Sequence, residues 1–151
     1  MLRGSQMGHW KRTNWLFGMA SFRLRRQIES TLRECANIYY SELIMGIETG
    51  MYGMWPSLSK SWASTKGHGE FYRYTGDFIS RIRVEMMERG PVNYSIFVGV
   101  RDDEIHGSSG KSMGEIADIL ESRRPLFDPA WYRVEGSIQR KLQDIGGDVL
   151  R

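Results

Sequence analysis

Between Leu24 and Ile47 the apolar residues Leu24, Ile28, Leu32, Cys35, Tyr39, Leu43 and Ile47 recur every three or four positions. Only an α-helix turns such spacing into one continuous stripe. Arg25, Arg26, Glu29, Arg33, Glu34 and Glu42 fall away from the stripe, so the helix presents one apolar and one solvated side. Ser21 is a suitable N-cap, and Gly46 or Gly50 a suitable stop. At 1.5 Å per residue such a helix is roughly 39 Å long, more than a small domain needs for its own core. The length predicts that one end projects into a partner.

The rest of the chain must cover that stripe. At 151 residues, 40% hydrophobic and 26% charged, it suits one domain with its own core. Residues 1–20 are broken by Gly4, Gly8 and Gly18 yet carry Trp10, Trp15, Leu16 and Phe17, which predicts an irregular arm that packs on something. Residues 51–74 lack a sustained period and contain Tyr52, Trp55, Trp62, Phe71 and Tyr72. They read as a long aromatic loop.

Thr75–Ile82 reads as a short helical turn. Arg83–Met86 alternates as a half-buried strand, residues 88–93 supply turn chemistry, and Tyr94–Val100 alternates again with Ile96, Val98 and Val100 on one face. This pattern predicts two adjacent strands. Ser112 to about Ser122 returns to helical spacing, and a last helix starts at Asp128 or Pro129 with Trp131, Val134, Ile138, Leu142 and Ile145. The expected fold is α+β: a long amphipathic helix packed on a small antiparallel sheet, followed by two shorter helices. The chain divides into an arm at 1–20 and a single domain at 21–151.

Several function classes find little support in these residues. The formal charge of +3 is too small to imply nucleic-acid binding by itself. No apolar run approaches the roughly 20 residues of a membrane span, and Trp15-Leu16-Phe17 is too short for a signal-peptide core. Cys35 is the only cysteine, so no internal disulfide can form. His9, His68 and His106 stand far apart without zinc-ligand spacing. Asp102-Asp103-Glu104 lacks the alternation of an EF-hand and reads as a solvated turn. Gly107-Ser108-Ser109-Gly110-Lys111-Ser112 is similar to the end of a phosphate-binding loop, but Ile105 stands where its first glycine belongs. A helix N-cap at Ser112 is the better reading. No set of residues assembles a catalytic device, a metal centre or a cofactor site.

A different signal runs through the middle of the chain as an ordered succession. Trp55-Pro56-Ser57-Leu58-Ser59 is followed by Lys66-Gly67 and then by Thr75-Gly76-Asp77-Phe78-Ile79-Ser80-Arg81-Ile82. Ile119-Leu120-Glu121 comes next, and Arg124-Pro125-Leu126-Phe127-Asp128-Pro129-Ala130 closes the series. This order and spacing resemble the neck, head-tail joining and tail-completion proteins of tailed bacteriophages, from about Leu24 onward. Two positions depart from the family's pattern: Arg123 stands where a glycine is usual, and Phe78 where leucine is usual.

The resemblance implies a virion protein without enzymatic activity, assembled in the host cytoplasm and located at the head-tail junction. It also implies a homo-oligomeric ring of sixfold or twelvefold symmetry, between connector or portal-side proteins and the tail terminator or tail tube. Trp10, Trp15, Trp55, Trp62, Phe71, Arg124 and Phe127 are the candidate interface residues, with Phe127 as an anchor on the stiff lead-in of Pro125. Lys11, Arg12, Arg23, Arg25 and Arg26 are candidates for backbone contact with passing DNA. The rival reading is a DNA- or nucleotide-binding accessory protein, which would use that basic cluster and the Gly110-Lys111-Ser112 loop.

Overall fold

The computed structural model describes residues 11–16, 22–56, 77–89, 93–107 and 109–145. The elements in chain order are β1 (Lys11–Leu16), α1 (Phe22–Glu48), α2 (Asp77–Ser80), β2 (Arg83–Arg89), β3 (Asn93–Gly99), α3 (Met113–Arg123) and α4 (Phe127–Gln143). The α+β architecture is the one the residue pattern predicts.

Helix α1 buries the predicted stripe. Ile28, Leu32, Cys35, Ala36, Tyr39, Leu43 and Ile47 are all buried, while Arg25, Arg26, Arg33 and Glu34 are exposed. Most of this helix packs within its own chain. Helix α4 packs along it, with Glu34 joined to Lys141 at one end and Glu42 to Arg133 further along. The pairing is antiparallel, and β3 packs against α1 as well. The length that looked excessive is covered from Ile28 to Ile47 by this chain's own elements.

The sheet is antiparallel in the order β1-β3-β2. The expectation of two strands is corrected to three, because Lys11–Leu16 leaves the irregular arm and pairs with β3, Lys11 opposite Val98 and Leu16 opposite Asn93. Only the long-range partner makes this segment a strand, since its own residues, four polar followed by two apolar, show no alternation. Strand β2 also runs further than expected, through Glu88 and Arg89, with a bulge between Met86 and Glu88. A bulge inserts one unpaired residue and breaks strict alternation, which is why those residues read as turn. As the central strand, β3 is buried at every position from Tyr94 to Gly99. It was expected to be buried on one face only.

The connection after β3 is tied down by charge. Arg101 donates to both Asp103 carboxylate oxygens (2.8 and 2.6 Å) and to Glu85 (3.2 Å). Glu104 pairs with Arg81 (3.0 Å) and Arg83 (2.8 Å). The guanidinium of Arg101 holds the Asp103 carboxyl well below the usual carboxylate range. Ser112 caps α3 as predicted: its hydroxyl accepts from the Glu115 N–H, and the Glu115 carboxylate accepts from the Ser112 N–H. This is a reciprocal capping box.

Candidate functional site

The described parts of the spaced motifs meet in space, while residues 57–59, Lys66-Gly67 and Thr75-Gly76 lie outside the described residues. The Trp55 indole N–H donates to the Pro125 carbonyl at 2.7 Å, and the Arg124 Nε donates to the Pro56 carbonyl at 3.4 Å. Phe78 meets Phe127 edge-on, with ring centroids 6.5 Å apart. Tyr39 donates its hydroxyl to the Phe127 carbonyl at 2.9 Å and packs edge-on against Trp131. Three segments, the most distant 88 residues away in sequence, thus converge on Arg124–Phe127.

Glu121 holds the centre of this node. Helix α4 begins at Phe127 after Leu126, whose side chain cannot cap it. The first N–H groups of any helix lack partners within it. The buried Glu121 carboxylate supplies them, accepting from Leu126 (2.7 Å), Phe127 (3.1 Å) and Asp128 (3.3 Å). A negative charge there also complements the positive end of the helix dipole. Pro125 keeps Arg124 out of helical geometry, at φ −137° and ψ 83°, so α3 stops where α4 must start.

The node revises the candidate interface. Phe127 is 1% exposed and Trp55 is 7% exposed, so both fill this chain's own core and neither side chain is available to a partner. The Trp55 indole is engaged by the Pro125 carbonyl, and the Phe127 ring packs against Phe78. Arg124 is partly exposed and clasps Pro56. Trp15 is placed by register opposite Tyr94 in β1, its side chain outside the described residues. Trp10, Trp62 and Phe71 also lie outside them. Of the basic candidates, Arg25 and Arg26 lie on the exposed side of α1. Lys11 and Arg12 pair through their backbones with Val98 and Phe97. The side chains of Lys11, Arg12 and Arg23 are outside the description.

The 107–112 loop is closed by its own backbone. His106 N–H donates to the Lys111 carbonyl (2.8 Å), Gly110 N–H to the His106 carbonyl (3.0 Å), and Gly110 adopts φ +70°. The helix end that would face a phosphate in a nucleotide-binding loop already carries the Glu115 carboxylate. The Ser109 hydroxyl and His106 Nδ1 are 3.0 Å apart, a short-range contact on an exposed turn. The Cys35 thiol is 1% exposed, and burial pushes its pKa up. Among the described residues no cluster of three or more His, Cys, Asp or Glu could hold a metal, and no helix is long and apolar enough to cross a membrane.

A second feature escaped the reading of the sequence. Gly50, Met51, Tyr52 and Gly53 all have positive φ, at 60°, 52°, 56° and 81°. A left-handed conformation costs an L-residue about 1–2 kcal/mol, so Met51 and Tyr52 are strained while the flanking glycines are not. Met51 points inward, fully buried against Gly46, and Tyr52 points outward at 42% exposure. The Tyr52 hydroxyl donates to Glu42 at 2.9 Å, Arg133 donates to the same carboxylate oxygen at 2.6 Å, and the guanidinium lies 3.9 Å from the Tyr52 ring centroid. Tyr52 walls a groove of about 480 Å³ whose other lining includes Ile38, Met45 and Val134. Met45, Met54 and Tyr132 are exposed large hydrophobic residues. The only trace of this in the sequence is the Gly50-x-x-Gly53 bracket, which does not reveal the φ of the residues inside it. Comparison of the chain with protein-family models, with curated proteins and with solved structures yields no match.

Proposed function

We propose that this chain is a structural virion protein of a tailed bacteriophage. In this reading it forms a sixfold or twelvefold ring at the head-tail junction, in a neck, tail-completion or tail-terminator role between connector and tail. The observation that carries the reading is the ordered motif succession from Trp55 to Ala130. The geometry adds support, because the Trp55-Pro56, Phe78, Glu121 and Arg124–Phe127 pieces are those that fold onto one another. A succession kept in order by a shared fold is a property of one building block. With Trp55 and Phe127 buried in the subunit's own core, the ring contacts fall to other surfaces.

The test is the mass of the purified chain by mass photometry, with negative-stain imaging of the same sample. The expected result is a closed ring at six or twelve times the 17.5 kDa of one chain. A monomer at every concentration up to the high micromolar range, with no ring in the images, overturns the proposal. A thermal shift with ATP and magnesium that disappears in Lys111→Ala would instead favour nucleotide binding.

A further inference from the structure

We propose that residues 50–53 form a strained left-handed joint, held shut by a latch of Tyr52 on Glu42 and Arg133, whose opening removes Tyr52 from the wall of the α1–α4 groove. This inference stands on the geometry of the turn and does not depend on the assembly reading.

Two of the four residues in the turn are L-residues in a region that favours glycine. Such a conformation persists only where its surroundings over-determine it. Three restraints do so here. From inside, Met51 is fully buried and packed closely against Gly46: a Cβ on Gly46 would meet the Met51 sulfur at 2.7 Å and Leu126 Cδ1 at 3.0 Å. From the backbone, Tyr52 N–H donates to the Thr49 hydroxyl (2.9 Å), Gly53 N–H to the Thr49 carbonyl (3.0 Å) and Trp55 N–H to the Gly50 carbonyl (3.1 Å). From outside, Tyr52 bonds Glu42 and lies under Arg133.

The inner restraint is dry and permanent, whereas the outer one is wet. Tyr52 is 42% exposed and the Arg133 side chain 51% exposed. Water or any charged group arriving at this face competes for the same carboxylate. The outer restraint is therefore the one that gives way first. When it does, the strain at Tyr52 favours departure from the closed turn. Met51 stays seated, so the opening is local. The consequence is greater exposure of Ile38 and Val134, which now share the groove with the Tyr52 ring.

The test is native-state hydrogen exchange on the full chain, read at the amides of Gly53, Met54 and Trp55, with the α1 amides of Leu32–Leu43 as the reference. Tyr52→Phe keeps the ring under Arg133 but loses the bond to Glu42, and should speed exchange in the turn about tenfold while α1 is unchanged. Tyr52→Ala and Tyr52→Asn both lose the ring, but asparagine tolerates the left-handed region better than alanine. Stored strain therefore predicts turn amides roughly threefold slower in the Asn variant than in the Ala variant. A Tyr52→Phe variant that exchanges like the wild type overturns the latch, and equal rates in the Ala and Asn variants overturn the strain. Acceleration spread equally over the turn and α1 would mean loss of global stability and would also overturn the proposal.

Discussion

Removing the Glu121 carboxylate should damage this fold more than its position near a surface helix end would imply. One side chain serves three N–H groups, and two of them belong to Leu126 and Phe127, which are 0% and 1% exposed. In Glu121→Ala those two donors stay buried without a partner. A buried unsatisfied donor costs about 1–3 kcal/mol, so two cost about 2–6 kcal/mol. The expected loss is about 3–5 kcal/mol, which for a chain of this size lowers Tm by roughly 6–20 °C. Glu121→Gln separates hydrogen bonding from side-chain bulk. Leu126 and Phe127 share the oxygen Oε2, and Asp128 uses Oε1. A glutamine can keep the first two bonds with its carbonyl while its amide faces the Asp128 N–H, at a cost of about 1–2 kcal/mol. Urea and thermal unfolding at pH 7, followed by circular dichroism, measure both. A loss below about 1 kcal/mol in the Ala variant, or equal losses in both variants, would refute the account of how α4 starts.

Three further outcomes follow from packing and burial. Gly46→Ala should destabilise by about 1 kcal/mol, since the clash with Met51 and Leu126 outweighs the usual helix-propensity gain, whereas Gly136→Ala in open space should stabilise by about 0.5–1 kcal/mol; parallel urea titrations decide both signs. Burial first, then the Glu121 and Asp128 charges, raise the pKa of Tyr39 well above its ordinary 10.0. The folded state thus holds that proton more tightly than the unfolded chain. Its stability is fully present below pH 10, the ordinary tyrosine value, and is lost as pH rises toward the folded pKa. Tyr39→Phe should lose about 1 kcal/mol at pH 7 with its hydrogen bond, yet show a shallower alkaline decline in a pH series of melts. Cys35 should resist thiol reagents in the native chain and react only on unfolding, because its thiol is buried and its pKa raised; labelling in rising urea checks this.

The parts of the fold legible in the sequence were those written locally. The α1 stripe needs only residues three or four apart, and the Ser112 capping box only a serine and a glutamate three residues on. Strand β1 was not legible, because six residues from Lys11 to Leu16 become a strand only by pairing with Asn93–Val98. The left-handed turn was hidden because no residue type announces positive φ at methionine or tyrosine. The node was half legible. The motif residues were visible as a succession, but the bonds that join them end on the backbone carbonyls of Pro56, Pro125 and Phe127. A carbonyl has no signature in a sequence. For the same reason Phe127 and Trp55 looked like exposed anchors, when their partners were the chain's own backbone and core. Tyr52, Glu42 and Arg133 went unnoticed because they meet across 10 and 91 positions with no recognisable spacing.

Amide exchange at Leu126, Phe127 and Asp128 in a dilute sample, below any assembly concentration, tests most directly whether the motif node belongs to the single subunit. If Glu121 and the core hold these three N–H groups within one chain, they will be among the slowest in the molecule and exchange only on global unfolding. Rapid exchange in the dilute chain, with protection gained only on assembly, would place the node at an interface and contradict the account.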